Sequence, residues 1–485
     1  MQQRIQNKTI EVFIDNKEKA KEFQEEFSAF ADGYKMNTRY RMGQWNGKKN
    51  FYKIHTVDGG WVFKVKLGFK GRVEKFTNEK FPEDIDYTQI KTYLHKLIPE
   101  LPFKPYPHQI KMILGMGSSL NQLGVASVGA GKSMVIYALS RFYRSQGLKV
   151  LCLVPTVDLV NQLKDDFQDY NAPGSFMNEI QQIGGEFNDK NIKEPLVIST
   201  WQSAHKADLS GFDVVLNDEV HLSKADVLLK ILSNSFSVKL GLTGTPPINQ
   251  MDALLLEQNF GYPKTYITAK GLIDLGLATD LSVVAMFLNQ KQKIMKYQDE
   301  VKFIKESKPR QKWIANFTQK LKGLKIMLYQ HTQHGKDTWT SITGLELNNK
   351  RMADFELQKS LGVFFMSGGT PAKTRKMILE YLKTVNGTEN IILIGQSKIL
   401  STGINIKALK HLIFLSAGKS YTQIIQSIGR VLRLHDAKSK AVIWDLVDNF
   451  SDNRKTENHA LKHFWARLGY YEFQGFEVHE KEFNI

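Results

Sequence analysis

Leu123-Gly-Val-Ala126-Ser-Val-Gly129-Ala130-Gly131-Lys132-Ser133 runs from an apolar stretch through two glycines to a lysine and a hydroxyl. Leu123–Val128 is apolar enough for a strand, and Lys132–Gln146 carries a helical pattern. Between them, Gly129, Ala130 and Gly131 let backbone N–H groups approach phosphate oxygens, and the helix N-terminus adds partial positive charge. Lys132 is expected on the β- and γ-phosphates of ATP and Ser133 on its magnesium. Ala126 stands where such loops usually carry their first glycine, a small replacement that keeps the turn feasible and weakens the bare motif. A tight strand-to-helix turn is the bland alternative.

Outward from this loop, short apolar runs alternate with helical patterns, which is the signature of βαβ units around a parallel sheet. Candidate strands are Lys149–Pro155, Leu196–Thr200, Asp213–Asn217 and Lys239–Leu242, then Lys325–Gln330, Gly362–Met366, Ile391–Ile394, His411–Leu415 and Ala441–Leu446. The fold class expected is α/β: two tandem RecA-like parallel-sheet domains preceded by a small α+β domain. Residues 1–98 are read as the N-terminal nucleic-acid-binding domain and 99–285 as the ATP-binding lobe. A polar, Lys-rich linker is expected over 286–312, where Pro309 discourages a continuous helix. Residues 313–450 are read as the second lobe, and 451–485 as a helix and strand packing on it.

Asp213-Val-Val-Leu-Asn217 delivers Asp218 and Glu219 to the carboxyl edge of its sheet, where ligands of parallel sheets lie. Asp218 is expected to hold magnesium through water, and Glu219 to orient or deprotonate the attacking water. Upstream, Tyr106 can stack on an adenine ring and Gln109 offers donors and an acceptor to its edge. Thr243-Gly-Thr245-Pro246 follows a strand expected beside the Asp218 strand, where its hydroxyls could sense the carboxylates. In the second lobe, Arg430 and Arg433 share one helical face and can act as arginine fingers, making hydrolysis depend on lobe closure.

The ordered set of Gln109, Gly-Ala-Gly-Lys132-Ser, Asp-Glu-Val-His221, Thr-Gly-Thr-Pro246, Ser-Thr-Gly403 and Gln426-x-x-Gly-Arg430-x-x-Arg433 resembles superfamily 2 helicases of the DExH kind, over roughly residues 100 to 450. The resemblance implies that His221 and Gln426 link the nucleotide to the strand-binding surface, that Thr243 and Thr245 couple hydrolysis to movement, and that Gly403 belongs with the nucleotide contacts. Ala31-Asp-Gly-Tyr34, Arg39-Tyr-Arg41 and Gly43-Gln-Trp45-Asn-Gly47 are similar to the N-terminal domain of the T-even phage UvsW-like DNA helicases. So are Gly335-Lys336 after His331 and Ser401-Thr-Gly-Ile. This closer likeness implies branched DNA as substrate: forks, recombination junctions and R-loops.

Composition agrees with a polyanion partner. Lys+Arg number 66 against 49 Asp+Glu, a net charge of +17, and cations gain by displacing counterions condensed on phosphates. Arg39, Arg41, Trp45, Lys64 and Lys66 are the N-terminal candidates for DNA contact; a solvated lysine edge that deters aggregation is the alternative. Trp61–Lys70 alternates apolar and basic positions as a half-buried strand does. In the motor lobes, Thr156, Thr200, Gln202, Ser401 and Thr402 sit at strand ends where hydroxyls and amides can grip phosphates without reading sequence. The single cysteine, Cys152, lies in a strand and excludes an intrachain disulfide or a cysteine zinc cluster. His331 and His334 lack carboxylate or cysteine partners in the sequence and are assigned a surface or coupling role. No uninterrupted apolar stretch approaches 18 residues, and the N-terminus has no apolar core of a signal peptide, so a cytoplasmic protein is expected, in the host cytoplasm if phage-encoded. No obligate protein partner is inferable. An RNA helicase, a restriction-system motor and a scaffold with an idle nucleotide fold remain the alternatives.

Overall fold

The computed structural model describes residues 2–6, 9–82, 86–185, 187, 191–222, 225–232, 236–247, 249–292, 296–396, 406, 408–416, 428, 440–450 and 457–485. They form two compact units: Met1–Ala126 with Ala130–Ile267, and Ser127–Gly129 with Thr268–Ile485.

In the first unit, seven parallel strands lie in the order Pro263–Ile267, Asn121–Ala126, Val238–Thr243, Val214–Asn217, Val150–Val154, Leu196–Thr200 and Ile180–Ile183. The central runs are continuously apolar and buried because a parallel sheet is covered on both faces. Helices Lys132–Ser145 and Val157–Asp169 pack on it. The two edge strands, Pro263–Ile267 and Ile180–Ile183, were not anticipated. One opens on Pro263 and Lys264 and the other carries Gln181 and Gln182, so neither reads as a buried run.

The N-terminal segment forms an antiparallel sheet in the order Gln2–Gln6, Thr9–Ile14, Gly60–Lys66 and Tyr52–Val57. Phe63 and Val65 are buried as the alternation predicts, but the strand stops at Lys66. Leu67–Phe69 tightens into a 3-10 turn and Lys70–Thr77 is helical, so Phe69 reaches the core from a turn. The domain also shares its core with the first lobe. Phe23, Phe27, Phe63 and Phe69 cluster with Met251 and Leu254 of helix Gln250–Phe260. Arg72 adds a salt bridge to Glu257 at 2.6 Å, with the Glu257 carboxylate 1% exposed.

The second unit is another seven-stranded parallel sheet, ordered Val363–Met366, Ile392–Gln396, Lys325–Tyr329, His411–Phe414, Lys440–Asn449, Asp280–Asn289 and Val478–Asn484. The tail supplies helix His459–Phe473 and an edge strand, as expected. The 286–312 stretch differs from the expected linker. Strand Asp280–Asn289 belongs to this sheet, and helices Tyr297–Glu306 and Lys308–Lys320 follow it. Pro309 sits in the first turn of the latter helix, where its missing N–H has no intrahelical role. The buried Glu300 carboxylate accepts from Asn458 Nδ2 at 2.8 Å, His459 N at 2.9 Å and Ala460 N at 2.7 Å, capping the tail helix.

His334 is not at the surface: its ring is fully buried and receives Arg310 Nη1 at 3.1 Å. Arg310, equally buried, also binds the Asp448 carboxylate at 2.7 and 3.0 Å. Burial first, then the Arg310 charge, holds the His334 pKa well below its usual value, so the ring is neutral.

Candidate active site

Strand Asn121–Ala126 turns into helix Lys132–Ser145 through Gly129 and Gly131, at φ 87° and 73°. Both are left-handed conformations that favour glycine. At Gly131 a Cβ would also strike the Gln109 amide. Gln109 therefore packs directly on the loop. Its Oε1 accepts from Tyr106 N at 2.8 Å and its Nε2 donates to Ala130 O at 3.2 Å. His108 contacts the same carbonyl at 3.0 Å. The expected adenine reader is thus also a brace for the phosphate loop. Tyr106 is 47% exposed and lines a cavity of about 760 Å3 with Tyr87, Lys104, Ile110 and Lys264.

Across the sheet edge, Lys132 Nζ lies 3.1 Å from Glu219 Oε1. Burial disfavours the ammonium, but Glu219 and Asp218 hold its pKa above the ordinary value. Burial, with Glu219 beside it, pushes Asp218 up to about 7. Burial would raise Glu219 too, yet Lys132 and then His221 hold it below the usual carboxylate range. The two neighbours are thus pushed in opposite directions, Asp218 up by burial and Glu219 down by Lys132. Glu219 stands at φ 45°, a strained position for a residue with a Cβ.

Behind the carboxylates, His221 Nδ1 meets Thr243 Oγ1 at 2.6 Å, Thr245 Oγ1 lies 2.9 Å from its Nε2, and Glu219 Oε2 lies 3.5 Å from its Nδ1. Burial lowers the His221 pKa to about 4, leaving a neutral ring between carboxylate and hydroxyls. The threonines therefore reach Glu219 through His221. The Ser133 hydroxyl meets Tyr170 OH at 2.7 Å. Neither Tyr170 nor this contact carried a sequence signal, because Tyr170 lies past the end of an unremarkable amphipathic helix.

The cluster suits ATP with magnesium: a loop built on two left-handed glycines, with one ammonium and two half-buried carboxyl groups at its end. Sequence relatives bear on the ATP part of that fit. Residues 103–248 match the family described as type III restriction enzyme, res subunit, and residues 310–435 match the helicase conserved C-terminal domain. The chain is 30% identical over 500 residues to the ATP-dependent DNA helicase UvsW of enterobacteria phage T4, covering 96% of this chain and 95% of that one.

The chain belongs to the superfamily 2 helicases, in the group of UvsW-like enzymes.

Its ATP-dependent helicase character follows from that membership. A crystal structure of T4 UvsW is similar at 26% identity and TM-score 0.42, covering 97% of this chain and 96% of that chain. A fragment of a putative HsdR subunit of a type I restriction enzyme from Vibrio vulnificus has a TM-score of 0.59 at 17% identity, over 94% of this chain and 83% of its own, and shares the fold.

Of the helicase's expected strand contacts, Arg39, Arg41, Lys66, Thr156 and Gln202 are exposed, and Trp45 and Lys64 are half-buried. Lys64 pairs with Glu11 at 3.3 Å, and Trp45 Nε1 donates to Lys48 O at 2.9 Å. Thr200 is 4% exposed, and its hydroxyl caps the following helix by accepting from Ser203 N at 3.3 Å. The adjacent Trp201 is buried, and its indole donates to Asn217 at 2.8 Å, tying this turn to the Asp218 strand. Ser401, Thr402, Gly403, Gln426, Arg430 and Arg433 lie outside the described residues. Cys152 is a buried thiol whose pKa burial pushes up to about 12, an inert packing group.

Proposed function

We propose that this helicase is a DNA translocase acting on branched substrates (forks, recombination junctions and R-loops) in the cytoplasm of a host cell, and that its carboxylate pair works with magnesium. The observation that carries the motor is Glu219, bonded to Lys132 on one side and facing His221 on the other. Bound ATP with its cation would supply the phosphoanhydride whose cleavage drives movement of the two lobes. Lys132 exchanges Glu219 for the β- and γ-phosphates, held with the backbone N–H groups of Gly129–Gly131. Glu219, released and ionised, orients the attacking water and accepts its proton. Asp218 would hold the cation, with the Ser133 hydroxyl, which here meets Tyr170, as a second oxygen donor, and the cation would neutralise charge on the phosphates. Tyr106 and Gln109 take the adenine, with Gly403 among the nucleotide contacts. His221 passes the state of Glu219 to Thr243 and Thr245. Gln426 and the fingers Arg430 and Arg433 keep the roles that the family resemblance implies.

DNA, and its branched forms, are favoured by the likeness to a DNA helicase along almost the whole chain and by the basic surface around Arg39, Arg41, Trp45, Lys64 and Lys66. Thr156, Thr200, Gln202, Ser401 and Thr402 are assigned to the translocated strand. ATPase stimulation by single-stranded DNA, forked DNA and RNA of equal length tests the reading, with Lys132→Ala as the background. Forked DNA should stimulate most. Equal or greater stimulation by RNA would make this an RNA helicase, and strand separation retained by Lys132→Ala would overturn the motor itself.

A further inference from the structure

Two methionines of the N-terminal domain stand in solvent. Met36 is 75% exposed and Met42 66%, the most exposed large apolar side chains among the described residues. Both belong to the segment between Gly33 and Gly43, whose φ angles of 66° and 68° let the chain turn at each end. Within it, a 3-10 turn over Tyr34–Met36 leads to the short helix Thr38–Arg41, with the Asn37 side chain accepting from Arg39 N at 2.9 Å.

The segment is braced on its inner side. Tyr34 stacks on Phe30 with ring centroids 4.6 Å apart and meets the edge of Tyr40 at 4.8 Å. At Gly47 a Cβ would collide with the Tyr34 ring, so the returning chain lies against that stack. Arg41 donates from Nε to Lys35 O at 3.1 Å and from Nη2 to Met36 Sδ at 3.3 Å. The guanidinium therefore holds the thioether in place.

Exposed apolar groups held on a braced turn are suited to a partner that buries them. The charge around them selects the partner: from Gly33 to Val57 there are Lys35, Arg39, Arg41, Lys48, Lys49 and Lys53 and no acidic residue. A protein surface would need a matching acidic rim, whereas DNA offers phosphates for every cation and stacked bases for the methionines. Methionine is among the apolar side chains that wedge between base steps, and its flexible thioether adapts to an irregular gap. A branch point exposes the face of a terminal base pair, where unstacking is least costly.

We propose that Met36 and Met42 form an apolar wedge that inserts at the branch of a DNA junction and unstacks its terminal base pair, while the surrounding cations hold the flanking phosphates. This rests on the branched-DNA reading and assigns the contact that recognises the branch.

The test uses the full chain without nucleotide, so that motor-driven unwinding does not contribute, and forked DNA carrying 2-aminopurine at the branch or in mid-duplex. Wild type and Met36→Leu/Met42→Leu should brighten the branch probe and leave the mid-duplex probe dark. Met36→Gln/Met42→Gln should bind the fork yet leave the branch probe at the level of free DNA, with a thermal midpoint matching wild type. An unchanged branch signal in the glutamine variant overturns the wedge. If wild type prefers the fork to a linear duplex but brightens neither probe, the wedge fails alone. If it shows no preference for the fork, the branched-DNA reading fails and the wedge with it.

Discussion

Glu219 lies between two partners: Lys132 favours its charge, and the neutral His221 sits where any change in that charge is felt. Glu219→Gln keeps the shape and removes the charge. The variant should bind ATP as wild type does and turn over about 10²- to 10⁴-fold more slowly, the usual worth of a positioned general base. Equilibrium binding and single-turnover hydrolysis separate the two effects, and wild-type turnover would exclude Glu219 as the base. In the second unit, His411 makes a pH prediction. Its Nδ1 accepts from Trp444 Nε1 at 3.1 Å and its Nε2 donates to Lys322 O at 3.0 Å, an arrangement only the neutral ring can make. Burial lowers its pKa to about 4. Between about 4 and 6.5 the unfolded chain binds the extra proton, so this contribution to stability is complete above 6.5 and is lost as pH falls towards 4. At pH 5 the loss is about 2 kcal/mol. Guanidinium unfolding of wild type and His411→Gln at pH 7.5 and pH 5 should show the smaller acid loss in the variant.

At the scale of elements, helix Gln250–Phe260 joins the N-terminal sheet to the lobe that carries Lys132. Arg72 reaches its buried Glu257 and, on the other side, Glu26 at 2.5 Å. Arg72→Ala strands the Glu257 carboxylate and should cost about 3–5 kcal/mol, whereas Arg72→Met with Glu257→Leu should recover most of that loss. Denaturation midpoints measure the cost, and hydrogen exchange should rise first in Gln250–Phe260 and Lys70–Thr77. None of this was legible in the sequence, because the two partners lie 185 positions apart. What was legible had local cause: the apolar runs that became Val150–Val154, Leu196–Thr200 and Val214–Asn217, and the glycines that the loop before Lys132 requires. The 286–312 stretch misled because its surface lysines hide buried Glu300 and Arg310, whose partners Asn458 and Asp448 come from much later in the chain. The contact of Ser133 with Tyr170 had no local signal, because it depends on how a neighbouring helix packs.

For the whole molecule, a net charge of +17 says that a polyanion is attracted but not where it acts. The shared core around Met251 and Leu254 supplies the place, since the basic N-terminal surface and Lys132 belong to one compact unit. On the proposed reading, DNA gripped by that surface would be carried by the same unit as Lys132. The grip should be electrostatic and therefore steeply dependent on salt. Each duplex phosphate neutralised adds about 0.9 to the slope of log affinity against log salt. Replacing Lys35, Arg39, Lys48 and Lys49 together by alanine should lower that slope by about 3.6 on forked duplex DNA. On a single strand too short to form a fork, where Thr156, Gln202 and the turns of the motor lobes are proposed to make the contacts, the slope should hardly change. Fluorescence anisotropy titrations of both substrates across a salt series decide the matter. An equal fall on both would mean that the basic surface serves the translocated strand, and an unchanged slope on both would mean that its lysines only keep an exposed edge solvated.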